Sequence, residues 1–125
     1  MKILYIEDSI EWVRQFLPQL QTLGEVSHYK GTHSALNALD SKTFDLIVCD
    51  HNILLFENES LHGYGIDIYM HCRFSELSTP FIHFSYDPCP EEYPHENDKN
   101  FYCLKKQNNA DLLGLIKKIG LSPSK

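Results

Sequence analysis

Glu7 and Asp8, Asp50, Ser85 and Lys105 each stand at the end of a short apolar run. Ile3-Leu4-Tyr5-Ile6 leads to the first pair, Leu46-Ile47-Val48-Cys49 to Asp50, Phe81-Ile82-His83-Phe84 to Ser85, and Phe101-Tyr102-Cys103-Leu104 to Lys105. Apolar runs of this length, alternating with helical patterns, mark buried parallel strands. In an open α/β sheet, ligands bind beyond the C-terminal ends of the strands. The spacing therefore predicts three carboxylates, a hydroxyl and an ammonium converging on one edge. Crowded carboxylates repel one another and raise their own pKa values unless a cation joins them. Mg2+ is the natural cation, because it takes hard oxygen ligands and bridges to phosphate; Mn2+ suits the same donors. Asp50 is then placed to act as a nucleophile toward phosphorus. The charge of the transferred group would fall to the metal, Lys105 and the Ser85 hydroxyl. Taken singly these residues have plainer roles: Asp8 as a helix N-cap, Lys105 as a surface lysine. Their shared edge is what points to a site.

The elements that must position these residues read as follows. After the first strand, Asp8 opens a helix with Glu11 as a possible capping partner. Ile10, Val13, Leu17 and Leu20 form its apolar face. Pro18 lies inside that helix and is expected to kink it or remove the bond back to Arg14. A weaker strand spans 25–29, and Thr32 or His33 opens a helix carrying Ala35, Leu36 and Leu39. The stretch 51–64 is polar and reads as a long loop. Gly65 to Phe74 is a helix with Ile66, Tyr69, Met70 and Phe74 on or near one side. The segment 86–100 holds Pro88, Pro90 and Pro94, which forbid a regular helix across it. Asp111 to Ile119 is the last helix, stopped by Gly120.

The totals narrow the function further. A chain of 125 residues, 42% apolar, suits one packed domain, expected over 1–120 with a short tail at 121–125. A net charge of -6 argues against binding to nucleic acid. No apolar run approaches the ~20 residues of a membrane span, and the start does not read as a signal peptide. Cys49, Cys72, Cys89 and Cys103 form no CxxC pair and read as reduced thiols, in keeping with a cytoplasmic protein. The histidines and cysteines lack the spacing of a zinc site.

Four stretches together resemble the signatures of response-regulator receiver domains. They are Ile3-Leu4-Tyr5-Ile6-Glu7-Asp8-Ser9, Phe44-Asp45-Leu46-Ile47-Val48-Cys49-Asp50, Thr79-Pro80-Phe81-Ile82-His83-Phe84-Ser85 and Tyr102-Cys103-Leu104-Lys105. The resemblance implies a doubly wound α/β fold, a five-stranded parallel sheet in order 2-1-3-4-5 with helices on both faces. It implies that Asp50 accepts a phosphoryl group from a histidine kinase or phosphotransfer protein. Glu7, Asp8, Asp50 and the backbone carbonyl of Asn52 would organise Mg2+, and Ser85 and Lys105 would hold the phosphoryl oxygens. Ser85 and Tyr102 would form the switch, and Asn52, Tyr86 and Asp87 would modulate access. No enzymatic output is expected beyond phosphorylation and dephosphorylation of Asp50 itself, so signalling would pass by docking to a protein target.

The chain departs from that pattern in four places. The loop after Asp50 lacks the usual proline and is longer by roughly half a dozen residues. Tyr86 replaces a small residue after Ser85. Lys106 stands where a proline usually follows the lysine. The fourth helix is expected to be reduced or missing. These departures keep open a receiver-like module that binds without phosphate. A magnesium-dependent phosphatase is less well supported, because Asn52 cannot serve as the general acid that such chemistry needs. A flavin binder is disfavoured because Glu7-Asp8 would repel the flavin phosphate at a loop that should offer backbone N–H groups.

Overall fold

The computed structural model describes residues 1–57, 61–86 and 97–120. The main sheet is built from β1 (Lys2–Ile6), β2 (Glu25–Tyr29), β3 (Leu46–Cys49), β6 (Phe81–Ser85) and β7 (Phe101–Lys105). All four pairings are parallel and the spatial order is β2-β1-β3-β6-β7. Among the described residues four helices cover it: α1 (Ile10–Gln21), α2 (Thr32–Ser41), α3 (Gly65–Phe74) and α4 (Leu112–Ile119). This is the predicted order 2-1-3-4-5, with two short strands interposed in the chain. The segment 87–96, on which the reduced fourth helix rests, lies outside the described residues, as does the tail 121–125. No helix among the described residues is long and apolar enough to cross a membrane.

The strand period of two splits the core into layers. From β1, Leu4 and Ile6 join Ala35 and Leu39 of α2, and Ile68, Tyr69 and Cys72 of α3, on one face. Ile3 and Tyr5 join Phe16 and Leu20 of α1, and Leu112 and Ile116 of α4, on the other. Burial on both faces is why β1, β3 and β6 read as continuous apolar runs. Along α3 the sequence pattern misplaces one residue: Ile68 and Cys72 are buried, whereas Phe74 is 79% exposed. Phe74 is the last residue of the helix.

The stretch 51–64 contains structure where a loop was expected. Asn52–Leu54 (β4) and His62–Tyr64 (β5) pair antiparallel. Polar side chains did not prevent this, because the pairing satisfies backbone groups and only Ile53 must enter the core. Gly63 lies opposite Ile53, and a Cβ there would meet the Thr32 hydroxyl at 2.2 Å. The hairpin is tied to the start of α2 by Leu54 N–H to the Lys30 carbonyl (3.2 Å) and His33 N–H to the Leu55 carbonyl (3.0 Å).

Candidate phosphoacceptor site

Three carboxylates do converge. One ligand atom from each of Glu7, Asp8 and Asp50 falls within 4.8 Å of the others. The parallel β1–β3 register, which pairs Ile6 with Cys49, brings the two strand ends side by side. Asp50 N–H donates to the Ile6 carbonyl at 3.1 Å, which locks Asp50 beside Glu7. Asp8 stays available. Helix α1 begins at Ile10 with Ser9 as its N-cap residue, so the predicted Asp8 cap does not form.

The ammonium facing these acids belongs to Lys106, which corrects the expectation for Lys105. The Lys106 Nζ donates to Glu7 Oε1 at 2.6 Å and to Asp50 Oδ2 at 2.8 Å. Lys105 is exposed, whereas Lys106 is only 2% exposed. The cause is where the strand ends. Lys105 is the last residue of β7, in register with Ser85, and the next N–H, that of Lys106, donates to the Ser85 carbonyl at 2.8 Å. The chain then turns, and the Lys106 side chain swings across the sheet edge. Counted back from Lys106, the place assigned to the switch aromatic falls on Cys103. Tyr102 is half-buried and packs with Leu104 against the α1–α4 layer.

Every carboxylate oxygen of Glu7 and Asp50 has a donor. Glu7 Oε2 accepts from Ser9 N–H at 3.2 Å, and Asp50 Oδ1 from His51 N–H at 2.7 Å. Glu7 is 1% exposed and Asp50 9%. Burial, and next the charge of Asp50, push the Glu7 carboxyl up to about 8, because one lysine does not neutralise the cluster. Lys106 is also burdened by desolvation, but Glu7 and Asp50 outweigh it and hold its pKa above the usual lysine value. This donor set fits Mg2+ or Mn2+. It is all oxygen, it is crowded, and it carries more negative charge than Lys106 can offset.

This predicts a pH dependence. The folded-state pKa of Glu7 lies above its unfolded value, so the native state holds the extra proton between about 4.5 and about 8. Stability from this group is complete below the lower value and is lost as pH rises through the upper one. Without divalent ion, wild type should lose about 3 kcal/mol relative to Glu7→Gln between about pH 5.5 and about pH 8.5. Urea midpoints of the two proteins at each pH check this. Parallel behaviour of both would overturn it.

The other predicted residues are placed as follows. Ser85 ends β6 and is buried, next to the Lys106 backbone. Asn52 begins β4 and is exposed. Tyr86 is 60% exposed, and Asp87 lies outside the described residues. Sequence reasoning missed the surroundings of Lys106. The Trp12 and Tyr86 rings stand 5.4 and 5.5 Å from its Nζ. It also missed His28, whose ring nitrogen donates to the Glu7 carbonyl at 2.9 Å. The period of α1 signalled Trp12, one turn beyond Asp8; nothing in the sequence signalled His28. A further correction concerns the thiols. Cys49 and Cys72 are free and buried, but Cys103 is disulfide-bonded. Cys103 is exposed on the edge strand β7. Cys103 thus departs from the expectation that all four cysteines are reduced thiols.

A five-stranded parallel sheet in order 2-1-3-4-5 with helices on both faces is the receiver fold. Solved structures with this fold include the signal receiver domain of an HD-domain protein from Pseudomonas fluorescens (TM-score 0.73, 18% identity, covering 94% of this chain and 92% of that one). Chemotaxis response regulator CheY4 of Vibrio cholerae is similar (TM-score 0.69, 22% identity, 94% and 97%). So is response regulator TrrA of Thermotoga maritima, solved with Mg2+-BeF (TM-score 0.68, 19% identity, 94% and 97%). No protein-family model and no curated protein matches the sequence.

Proposed function

We propose that this chain is a response-regulator receiver module that accepts a phosphoryl group on Asp50 from a phosphohistidine of a histidine kinase or phosphotransfer protein. The observation that carries this is the Lys106 ammonium held between Glu7 and Asp50, at the sheet edge where Asp8 completes an oxygen cluster. In the transfer an Asp50 oxygen attacks phosphorus and the P–N bond breaks. The donor imidazole keeps the bonding electron pair and takes a proton from solvent, and the carboxylate becomes an acyl phosphate. Glu7, Asp8, Asp50 and the Asn52 carbonyl would hold Mg2+, which supplies charge neutralisation when bound. Lys106 and Ser85 orient the phosphoryl oxygens. Output then follows from docking to a protein target. The chemistry beyond this is limited to loss of the phosphoryl group from Asp50.

Wild-type protein incubated with acetyl phosphate and Mg2+ should gain one phosphoryl group by intact mass, and Asp50→Asn should gain none. A wild type that stays unlabelled would favour the second reading, a receiver-like module that binds without phosphate. The observation behind that reading is the Tyr86 ring set over Lys106, where a small residue would leave the entrance open.

A further inference from the structure

Lys106 reaches the carboxylates from the far edge strand, and something other than acid must hold it there. Two of the three donors of its ammonium go to Glu7 Oε1 and Asp50 Oδ2. The third side is aromatic: Trp12 and Tyr86 stand at 5.4 and 5.5 Å and meet each other edge to face at 5.2 Å. Both distances lie within the range of cation–π attraction, which strengthens as the cation loses water. The two rings differ in anchoring. Trp12 stacks on Phe16 at 5.9 Å, and the fully buried Phe16 meets Phe84 at 4.9 Å, so Trp12 is tied to the core. Tyr86 is mostly exposed and leans on Trp12.

We propose that Trp12 is a positioning residue for phosphoryl transfer, the fixed half of a two-ring bracket that aims the Lys106 ammonium at Asp50. The inference rests on Asp50 being the phosphoacceptor and adds what keeps its lysine in place. A ring face suits this task better than a third carboxylate. It attracts the cation without competing as an anion for its N–H bonds, so the ammonium can pass from Asp50 Oδ2 to a phosphoryl oxygen without leaving the ring. It also excludes water from a charge that water would otherwise draw outward.

The test compares wild type, Trp12→Leu and Trp12→Phe with acetyl phosphate and Mg2+. Trp12→Leu should slow labelling of Asp50 by roughly tenfold, and Trp12→Phe, which keeps a ring, should retain at least about half the wild-type rate. Mg2+ affinity should not fall in either, because the carboxylates are untouched and an ammonium less firmly aimed at them competes less with the metal. The Lys106 methylene and ammonium protons should show ring-current upfield shifts by NMR that Trp12→Leu removes and Trp12→Phe largely keeps, a signature independent of phosphorylation. Labelled wild type with an unchanged Trp12→Leu rate, or Lys106 shifts that ignore Trp12, overturns the bracket alone. An unlabelled wild type overturns both the bracket and the phosphoacceptor reading. Loss of Mg2+ affinity together with rate in Trp12→Leu shows general damage to the site and also overturns the bracket.

Discussion

Lys106→Met is expected to slow phosphorylation of Asp50 by about two orders of magnitude, while Lys105→Met leaves the rate within about twofold. The two lysines are adjacent in sequence but differ wholly in setting. The Lys106 Nζ lies 2.6 Å from Glu7 and 2.8 Å from Asp50 in a buried site, and Lys105 is exposed on an edge strand. A buried ammonium facing a site where negative charge accumulates stabilises the transition state without solvent reorganisation. A solvated one does so weakly, because water screens it. The same substitution should tighten Mg2+ binding, since the ammonium and the metal compete for the oxygens of Glu7 and Asp50. Rate and affinity thus move in opposite directions, which simple unfolding cannot produce. Labelling rates and Mg2+ titrations of both variants check this; a slow Lys105→Met with a fast Lys106→Met would reverse the assignment.

Arg73→Ala is expected to destabilise the fold by about 3 kcal/mol without lowering the intrinsic rate at Asp50. Arg73 lies on α3, near the end of the sheet opposite the site. Its Nε donates to Asp98 at 2.7 Å and its Nη1 to the carbonyls of Leu77 (2.8 Å) and Thr79 (3.0 Å). Nη2 donates to the carbonyl of Asn100 at 3.2 Å, and the guanidinium sits over the Tyr69 ring at 5.0 Å. Asp98 also accepts from the Tyr69 hydroxyl at 2.5 Å and from Asn100 N–H at 2.9 Å. Burial works against the Asp98 charge, but the bonds from Tyr69 and Arg73 prevail and hold its pKa below the usual carboxylate value. One planar guanidinium therefore joins α3, the turn before β6 and the turn before β7. Lysine, with a single nitrogen, cannot span these acceptors. Arg73→Lys should accordingly recover less than half of the loss. Chemical denaturation read by circular dichroism checks both variants, and a loss under about 1 kcal/mol would refute the clasp.

Much of the candidate site was legible because strand ends are legible. Continuous apolar runs in β1, β3 and β6 located Glu7, Asp8, Asp50 and Ser85 at one edge, and the acidic cluster follows from the β1–β3 register. The lysine was misread by one position for a physical reason. β7 is an edge strand with alternating exposure, and neither residue of a Lys-Lys pair is marked by type as the one that turns inward. Helix α1 was legible by its period, but its start was not. Asp8 and Ser9 both suit an N-cap, and only the position of the carboxylate cluster decides which of them is free.

The sequence by itself determined the α/β class, the strand order expected from resemblance and the carboxylates of the rim, because these depend on local patterns of burial. Tertiary structure decided what depends on side chains crossing between elements. It chose Lys106 over Lys105, turned the polar stretch after Asp50 into a hairpin on Ile53, and set Trp12 and Tyr86 around the ammonium. A contact between residues 94 positions apart in the chain, as between Trp12 and Lys106, leaves no trace in local periodicity; it exists only once the sheet has brought its far edge to α1.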